Sequence, residues 1–412
     1  MVKEQFYAAT DPGTSKIVTV VAKGDDRGRI EVLGVGKAPS KGIDKGVVNN
    51  IQEAGEAVHH TIVEASTAAG LPIPWVYLGI GGSHIQISTR WGSARPSQYG
   101  STISYEHIQQ AANWAYPADL PPEREVIHLL PKSYSLDGVA GIRNPLGMHA
   151  IRLDLETLAI TGATTPMQSL VRSVERNGVR VRGLVLETLA AGEAVLTKAE
   201  KEMGVLLVDI GGGTTGMAVY QKGVPAYVAI LPVGGNNFTN DLAYSLRIPF
   251  EDAEEAKIKY GSALPDIIGL EDVELPSFGD RGRKQVDRRE LCRLLRDRAD
   301  ELLRLVRYKA RQAGFTTLPA GVVLTGGASS LHGMDTTAKV LFSTPVRVGA
   351  PLLVDSLPKE MAGPAYSTAV GILLWATMRA QEQQHRDLNG DRAAHKAKVA
   401  DWLREKVRRV AL

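Results

Sequence analysis

The chain has 412 residues, 44% hydrophobic and 23% charged, with a formal net charge of +3, which allows two to four soluble domains or subdomains and gives no argument for a nucleic-acid partner. A single cysteine, Cys292, excludes an internal disulfide framework, suits a reducing cytoplasm, and is expected as a small buried side chain on a helix. Met1-Val2-Lys3-Glu4 runs straight into a strand without a signal-peptide pattern, no run approaches the roughly twenty apolar residues that would cross a bilayer, and the histidines show no zinc-ligand spacing.

The first predicted strand ends at Thr10-Asp11-Pro12-Gly13-Thr14-Ser15-Lys16, and a second begins at once with Ile17-Val18-Thr19-Val20-Val21-Ala22. Ile30 to Gly36 is strand-like, and residues 38–48 form a looping entry to a helix. On that helix Ile51, Ala54, Val58, Ile62, Ala65 and Ala69 share an apolar face. Val76 to Ile80 returns as a strand ending at Gly81-Gly82, completing a strand–helix–strand unit. Residues 85–162 read as a small α/β insertion whose helix runs from Tyr105 to Ala115 with Ser104 as its cap. A helix is expected from Pro166 to Asn177, stopped by Asn177-Gly178, then a strand over Val179–Leu186 and a helix over Glu187–Ala199.

Next comes Leu206-Leu207-Val208-Asp209-Ile210-Gly211-Gly212-Gly213-Thr214-Thr215-Gly216, with apolar residues resuming at Met217. A buried strand, a carboxylate and a glycine turn joining a second strand suit close backbone approach to a polyanion, with successive N–H groups forming an anion-binding nest. Asp209 at the strand end is placed to hold a hydrated cation. This differs from phosphate loops in which the glycines lead into a helix; alone, it could also be a plain glycine-rich hairpin. The Asp11 segment has the same grammar about two hundred residues earlier, which suggests two similar halves facing one ligand.

After a strand at Ala226–Leu231, the Gly234-Gly235 turn leads to a helix over Phe238–Leu246. On a helix around Phe250–Lys257, Glu254 and Lys257 share a face, for which a solvated ion pair is the simplest reading. Residues 261–284 look loop-like. A long helix, Val286–Gln312, follows; its many arginines by default form a solvated face with i,i+4 pairs to Glu290, Asp297 and Glu301. Gly321 to Leu324 is a strand ending in a third glycine turn, Thr325-Gly326-Gly327-Ala328, and Pro364 to Gly371 has the small residues of close helix packing. The folded body is expected to end near Arg379, with a polar linker from Gln381 to Arg392. In the last segment Val399, Trp402, Leu403, Lys406's stem and Val410 form a helical stripe beside Val407, flanked by Lys396, Lys398, Arg404, Arg408 and Arg409. Such a basic amphipathic helix can lie in an anionic leaflet, or it can dock back on the body.

The three glycine turns in this order resemble the phosphate-1, phosphate-2 and adenosine motifs of the actin/Hsp70/sugar-kinase superfamily. The resemblance implies an α/β, actin-like two-lobed fold of paired ribonuclease-H-like domains with ATP between them. By the same resemblance Gly13, Thr14, Ser15 and Lys16 with Gly211, Gly212, Gly213, Thr214 and Thr215 grip the phosphates. Asp11 and Asp209 hold Mg2+ through water, and Gly234, Gly235, Glu254, Lys257, Gly326, Gly327 and Ala328 face the ribose and adenine. The text Gly34-Val35-Gly36-Lys37-Ala38-Pro39-Ser40-Lys41-Gly42 with Lys45-Gly46-Val47-Val48 narrows this. So do Val126 to Tyr134 and Gly141-Ile142-Arg143-Asn144-Pro145-Leu146-Gly147-Met148. These stretches are similar to the FtsA family, the bacterial actin homologues of cell division.

That resemblance divides the chain into subdomain 1A (1–84 with 163–195), 1C (85–162), 2A (196–232 with 321–380) and 2B (233–320), then a linker (381–395) and a membrane-targeting helix (396–412). It implies an ATP-binding filament protein on the inner face of the cytoplasmic membrane at the division septum, with other divisome proteins as further partners. Subdomain 2B would bind the acidic C-terminal peptide of FtsZ, for which Arg289, Arg293 and Arg298 are the candidates. No residue identifies itself as the group that orients water, so slow or undetectable turnover is expected. Pro12 departs from the aliphatic residue usual in the family, removes an N–H and puts the first phosphate turn in question. The alternatives are a PilM-like pilus-assembly ATPase, which would not need the Trp402 helix, and a small-molecule kinase of the same superfamily, for which no general-base signature is seen.

Overall fold

The structure, a computed structural model, describes residues 5–24, 30–269, 271–276, 282–352 and 357–388. Two five-stranded sheets carry the molecule, and they share one plan. In the first, Gln5–Pro12, Lys16–Gly24 and Ile30–Pro39 form an antiparallel meander, extended on the other side of Gln5–Pro12 by the parallel strands Trp75–Ile80 and Arg180–Leu186. In the second, Val205–Ile210, Thr215–Gln221 and Val224–Leu231 make the meander, and Val322–Thr325 and Val346–Val348 add the parallel strands. The repeated grammar of the sequence is therefore a repeated sheet topology. All six residues of Val205–Ile210 are buried, as expected of a continuous apolar run covered on both faces.

Between Ile80 and Thr164 an insertion builds its own sheet in the order Val139–Ile142, Arg124–Leu136, Leu153–Ala163, Gln86–Ala94. The helix Tyr105–Ala115 packs on it so closely at Gly92 that an added Cβ would lie 1.9 Å from the Ala111 carbonyl oxygen. Ser104 caps this helix, with its N–H bonded to His107 Nδ1 at 3.1 Å. Cys292 is buried.

Several expectations change. The helix read over Glu187–Ala199 is two helices, Glu187–Val195 and Lys198–Met203, because Thr197 and Glu200 form a capping box that restarts the chain. The long helix begins at Arg288 rather than Val286, capped by Asp287. Val286 instead pairs with Val273 in a hairpin of Asp272–Pro276 and Arg283–Asp287, within and beside the stretch read as loop. The helix after the Gly234-Gly235 turn starts at Gly235, three residues before Phe238. The final helix runs unbroken over Ser367–Leu388, into the stretch read as linker; Gln381-Glu382-Gln383-Gln384 are good helix formers and no glycine occurs between Gly371 and Gly390. The proposed membrane helix, residues 396–412, lies outside the described residues.

Candidate functional site

The two strand–Asp–Gly hairpins point their turns at each other. A Cβ on Gly212 would lie 2.2 Å from Ser15 Oγ, and one on Gly213 would lie 2.7 Å from Thr14 Oγ1. At both positions hydroxyls from the other half occupy the space a side chain would need. The cleft is lined by Asp11, Gly13, Thr14, Ser15 and Lys16 on one side and by Asp209, Gly211, Gly212, Gly213 and Thr214 on the other, with Gly326 and Gly327 adjoining. Thr215 does not face it: the residue is fully buried, with its hydroxyl donating to the Val233 carbonyl at 2.7 Å.

Pro12 leaves the first turn intact. The hairpin keeps an unshifted register from Gln5↔Gly24 to Pro12↔Ile17. Pairing with Trp75–Ile80 already ends at Thr10↔Leu78, so the proline lies past that ladder. Its ring rests beside Gly79, where an added Cβ would be 3.3 Å from the proline Cδ.

At the floor are three carboxylates. Burial raises Asp209 to about 7, with the Asp11 charge adding to the shift and a 3.4 Å hydrogen bond from Thr368 opposing it. Burial likewise raises Asp11 to about 6, against the pull of Lys16. Glu187 is pushed well above the usual carboxylate range, by burial first and then by Asp11 and Asp209. A cluster of acids held partly protonated is a site that a cation would ionise. Among the described residues no three His, Cys, Asp or Glu side chains converge as direct metal ligands; the buried carboxylates of Asp11 and Asp209 are hard oxygen donors of the kind that suit a hydrated divalent ion.

Lys16 lies over the Tyr366 ring at 3.9 Å, with Lys37 over the same ring at 5.3 Å. Burial lowers the Lys16 pKa, and Asp11 opposes that shift.

The third glycine turn closes the other end. Gly326 has φ +83°, and a Cβ there would meet Asp209 Oδ1 and the Ile210 carbonyl at 2.5 Å. Gly235 N–H donates to the Gly211 carbonyl at 2.8 Å, and Asn236 N–H to that of Gly212 at 2.7 Å, tying the Gly234-Gly235 turn to the Gly211–Gly213 turn. A Cβ on Gly235 would lie 3.2 Å from Ala328 Cβ and 3.7 Å from Lys257 Nζ. Lys257 Nζ reaches Glu254 at 2.7 Å, Thr239 Oγ1 at 2.8 Å and the Gly235 carbonyl at 3.1 Å. The Glu254–Lys257 pair is thus an ion pair and a neighbour of the Gly235 and Ala328 turns at once.

Behind the cleft, the helices Ser367–Leu388 and Glu187–Val195 touch backbone to backbone. A Cβ on Gly371 would come 1.8 Å from the Ala190 carbonyl oxygen, the close approach its small residues suggest.

Sequence reasoning missed Glu187, which follows the apolar strand Arg180–Leu186 as Asp209 ends its own. It also missed Gly46, Gly81 and Gly82, which line the cleft from two other loops.

On the long helix, Arg298 is gripped by Asp241 through two hydrogen bonds, at 2.6 and 2.9 Å, and also pairs with Glu301. Arg289 Nε donates to the Ile268 carbonyl at 2.8 Å, and Arg293 is exposed. The expected i,i+4 pattern gives way to these anchors, with Arg304–Asp300 as an i,i+4 pair on this helix.

The profile described as "Cell division protein FtsA" matches residues 206–371, and that of the "SHS2 domain inserted in FTSA" matches residues 82–161. The chain is 37% identical over 388 residues to the cell division protein FtsA of Pseudomonas aeruginosa, covering 94% of this chain and 93% of that one. To FtsA of Escherichia coli K12 it is 36% identical over 404 residues, covering 95% and 94%. The chain belongs to the FtsA family. It is an actin-like cell-division protein, and 32% identity to FtsA of Bacillus subtilis over 384 residues, covering 93% and 86%, extends the match.

Solved structures agree on the fold of this FtsA-family chain. A PilM–PilN type IV pilus biogenesis complex superposes with a TM-score of 0.65 at 16% identity, covering 90% of this chain and 98% of that one. MreB5 of Spiroplasma citri bound to ADP gives 0.52 at 13%, covering 94% and 99%. With FtsA relatives at twice the identity of the pilus protein, the PilM-like alternative is not favoured.

Proposed function

We propose that this chain binds ATP with Mg2+ between its two halves, polymerises, and tethers an FtsZ ring to the inner face of the cytoplasmic membrane. The observation that carries the reading is the mutual fit of the two turns, Ser15 against Gly212 and Thr14 against Gly213. Thr14, Ser15 and Lys16 supply donors from one side, and the Gly212–Thr214 backbone supplies N–H groups from the other, the Gly211 N–H being used within the turn on the Thr214 carbonyl. Asp11 and Asp209 would orient the waters of the magnesium ion, which supplies charge neutralisation of the phosphates when bound. Glu187 is the third carboxylate lining the cleft and the candidate to orient an attacking water.

The tail reading extends this. Val399, Trp402, Leu403, Lys406, Val407 and Val410 form the membrane face, and one short basic helix binds weakly while a filament displaying many binds firmly. For the FtsZ C-terminal peptide, Arg293 is the freest of the three arginines proposed, since Arg289 and Arg298 are engaged within the fold.

Co-sedimentation with anionic liposomes tests the proposal, using the full chain and a chain lacking residues 396–412, each with and without ATP and Mg2+. The expected result is pelleting of the full chain alone, increased by ATP. Equal pelleting of both chains contradicts the tail's role, and a lack of any ATP effect contradicts coupling to the cleft.

A further inference from the structure

Between the first sheet and its first helix, Ile43–Asp44 and Val47–Val48 pair as a tiny antiparallel hairpin. Its two-residue turn is Lys45-Gly46, both with positive φ, +47° and +77°, the conformation of a type I′ turn. Few non-glycine residues adopt that geometry, so the hairpin spends a strained lysine at its tip. The base is fixed: Asn49 and Asn50 N–H groups both donate to the Gly42 carbonyl, at 2.9 and 3.2 Å. The tip is fixed too, because a Cβ on Gly46 would lie 2.6 Å from the Gly81 carbonyl oxygen and 2.9 Å from Gly82 Cα.

This rigid tip crosses to the other half. A Cβ on Gly213 would sit 3.0 Å from Lys45 Cγ and 3.1 Å from Lys45 Cα, while Gly46 lines the cleft itself. The Gly211–Gly213 loop gives the direction. Gly211 and Gly212 bond to Gly235 and Asn236, on the adenosine side, whereas Gly213 faces Thr14 and Lys45. Lys45 therefore stands at the end of the loop farthest from adenosine. Its side chain is exposed, and among the described residues it makes no ion pair or hydrogen bond. Lys16, by contrast, is half-sequestered against Tyr366.

We infer that Lys45 is a specificity-determining residue that grips the terminal phosphate of a nucleoside triphosphate, so that the Lys45-Gly46 turn distinguishes triphosphate from diphosphate and straps the first half onto the Gly213 loop. This rests on the proposed nucleotide reading and deepens it. An ammonium on a flexible stem suits a phosphate that departs or changes position, and loss of a charge-assisted hydrogen bond to phosphate weakens binding about tenfold or more.

The test is calorimetric titration of ATP and of ADP, each with Mg2+, into the full chain and into Lys45→Gln, Lys45→Arg and Lys45→Ala, with melting curves of the free proteins to confirm folding. The expected result is an ATP affinity about tenfold lower in Lys45→Gln and Lys45→Ala, an ADP affinity changed by less than about threefold, and recovery in Lys45→Arg. Equal losses for both nucleotides, or unchanged ATP affinity in folded Lys45→Gln, would overturn the assignment while leaving the nucleotide reading standing. A wild-type chain that takes up neither nucleotide would overturn both.

Discussion

The hairpins Gln5–Gly24 and Val205–Gln221 occupy the same place in two sheets of the same plan, yet they bring opposite things to the cleft. The first turn carries side chains: the hydroxyls of Thr14 and Ser15 and the ammonium of Lys16. The second carries three glycines and offers backbone and room. Their carboxylates differ as well, Asp11 held to about 6 by the neighbouring Lys16 and Asp209 rising to about 7 without such a neighbour. A duplicated fold has become a complementary pair, with donors on one face and a receiving surface on the other. The halves also differ in what is attached to them. The insertion is locked to the first sheet through His128, whose Nε2 accepts the Leu186 N–H at 3.0 Å and whose ring lies 5.0 Å from that of Trp375.

The sharpest way to break the complementarity is to give the second turn a side chain. In Gly212→Val the new Cβ would lie 2.2 Å from Ser15 Oγ, so the serine hydroxyl must swing out of the cleft and the branched side chain then crowds the first turn. ATP affinity is expected to fall about a hundredfold or more, roughly 3 kcal/mol, by calorimetry.

His128 sharpens the contrast between the two sheets. Burial lowers its pKa to about 3, and the Arg379 charge adds to this. The folded protein therefore keeps the ring neutral where the unfolded chain takes up a proton. Stability from this site is complete above pH 6.5 and falls as the pH drops toward 3, by up to about 4 kcal/mol. His128→Gln, which keeps an acceptor for Leu186, is expected to flatten the acid limb of a denaturation series.

For the acids the sign reverses. A buried carboxylate with a raised pKa costs stability once ionised, so Asp209→Asn is expected to stabilise the nucleotide-free protein by up to about 4 kcal/mol at pH 8, with most of the gain gone by pH 4. Asp11→Asn should gain less. Both should lose the benefit of Mg2+ to ATP affinity.

The smallest effect is expected from Ser15→Ala, which removes one donor and the hydroxyl that fills the space at Gly212 but adds no clash. A loss of about 1 kcal/mol, near fivefold in ATP affinity, is expected.

The paired hairpins and the third glycine turn could be read from the sequence because each is local: an apolar run and glycines within about ten residues, with a carboxylate in the two hairpins. The helix Tyr105–Ala115 was legible through its Ser104 cap for the same reason. What escaped was short or assembled at long range. The hairpin ending at Asp287 alternates over only five residues per strand, and its charged outer positions imitate a loop. Glu187 looked like the first residue of a helix, because nothing near it in sequence reveals that Asp11 and Asp209 lie opposite. Arg298 looked solvated because its partner, Asp241, is on another helix.

The most direct test of the central claim is a crystal structure of the full chain grown with ATP and Mg2+. The account predicts the triphosphate between Gly13–Lys16 and Gly211–Thr214, with the adenine toward Gly326 and Gly235. A vacant cleft at saturating ATP, or nucleotide bound elsewhere with the two turns apart, would contradict it.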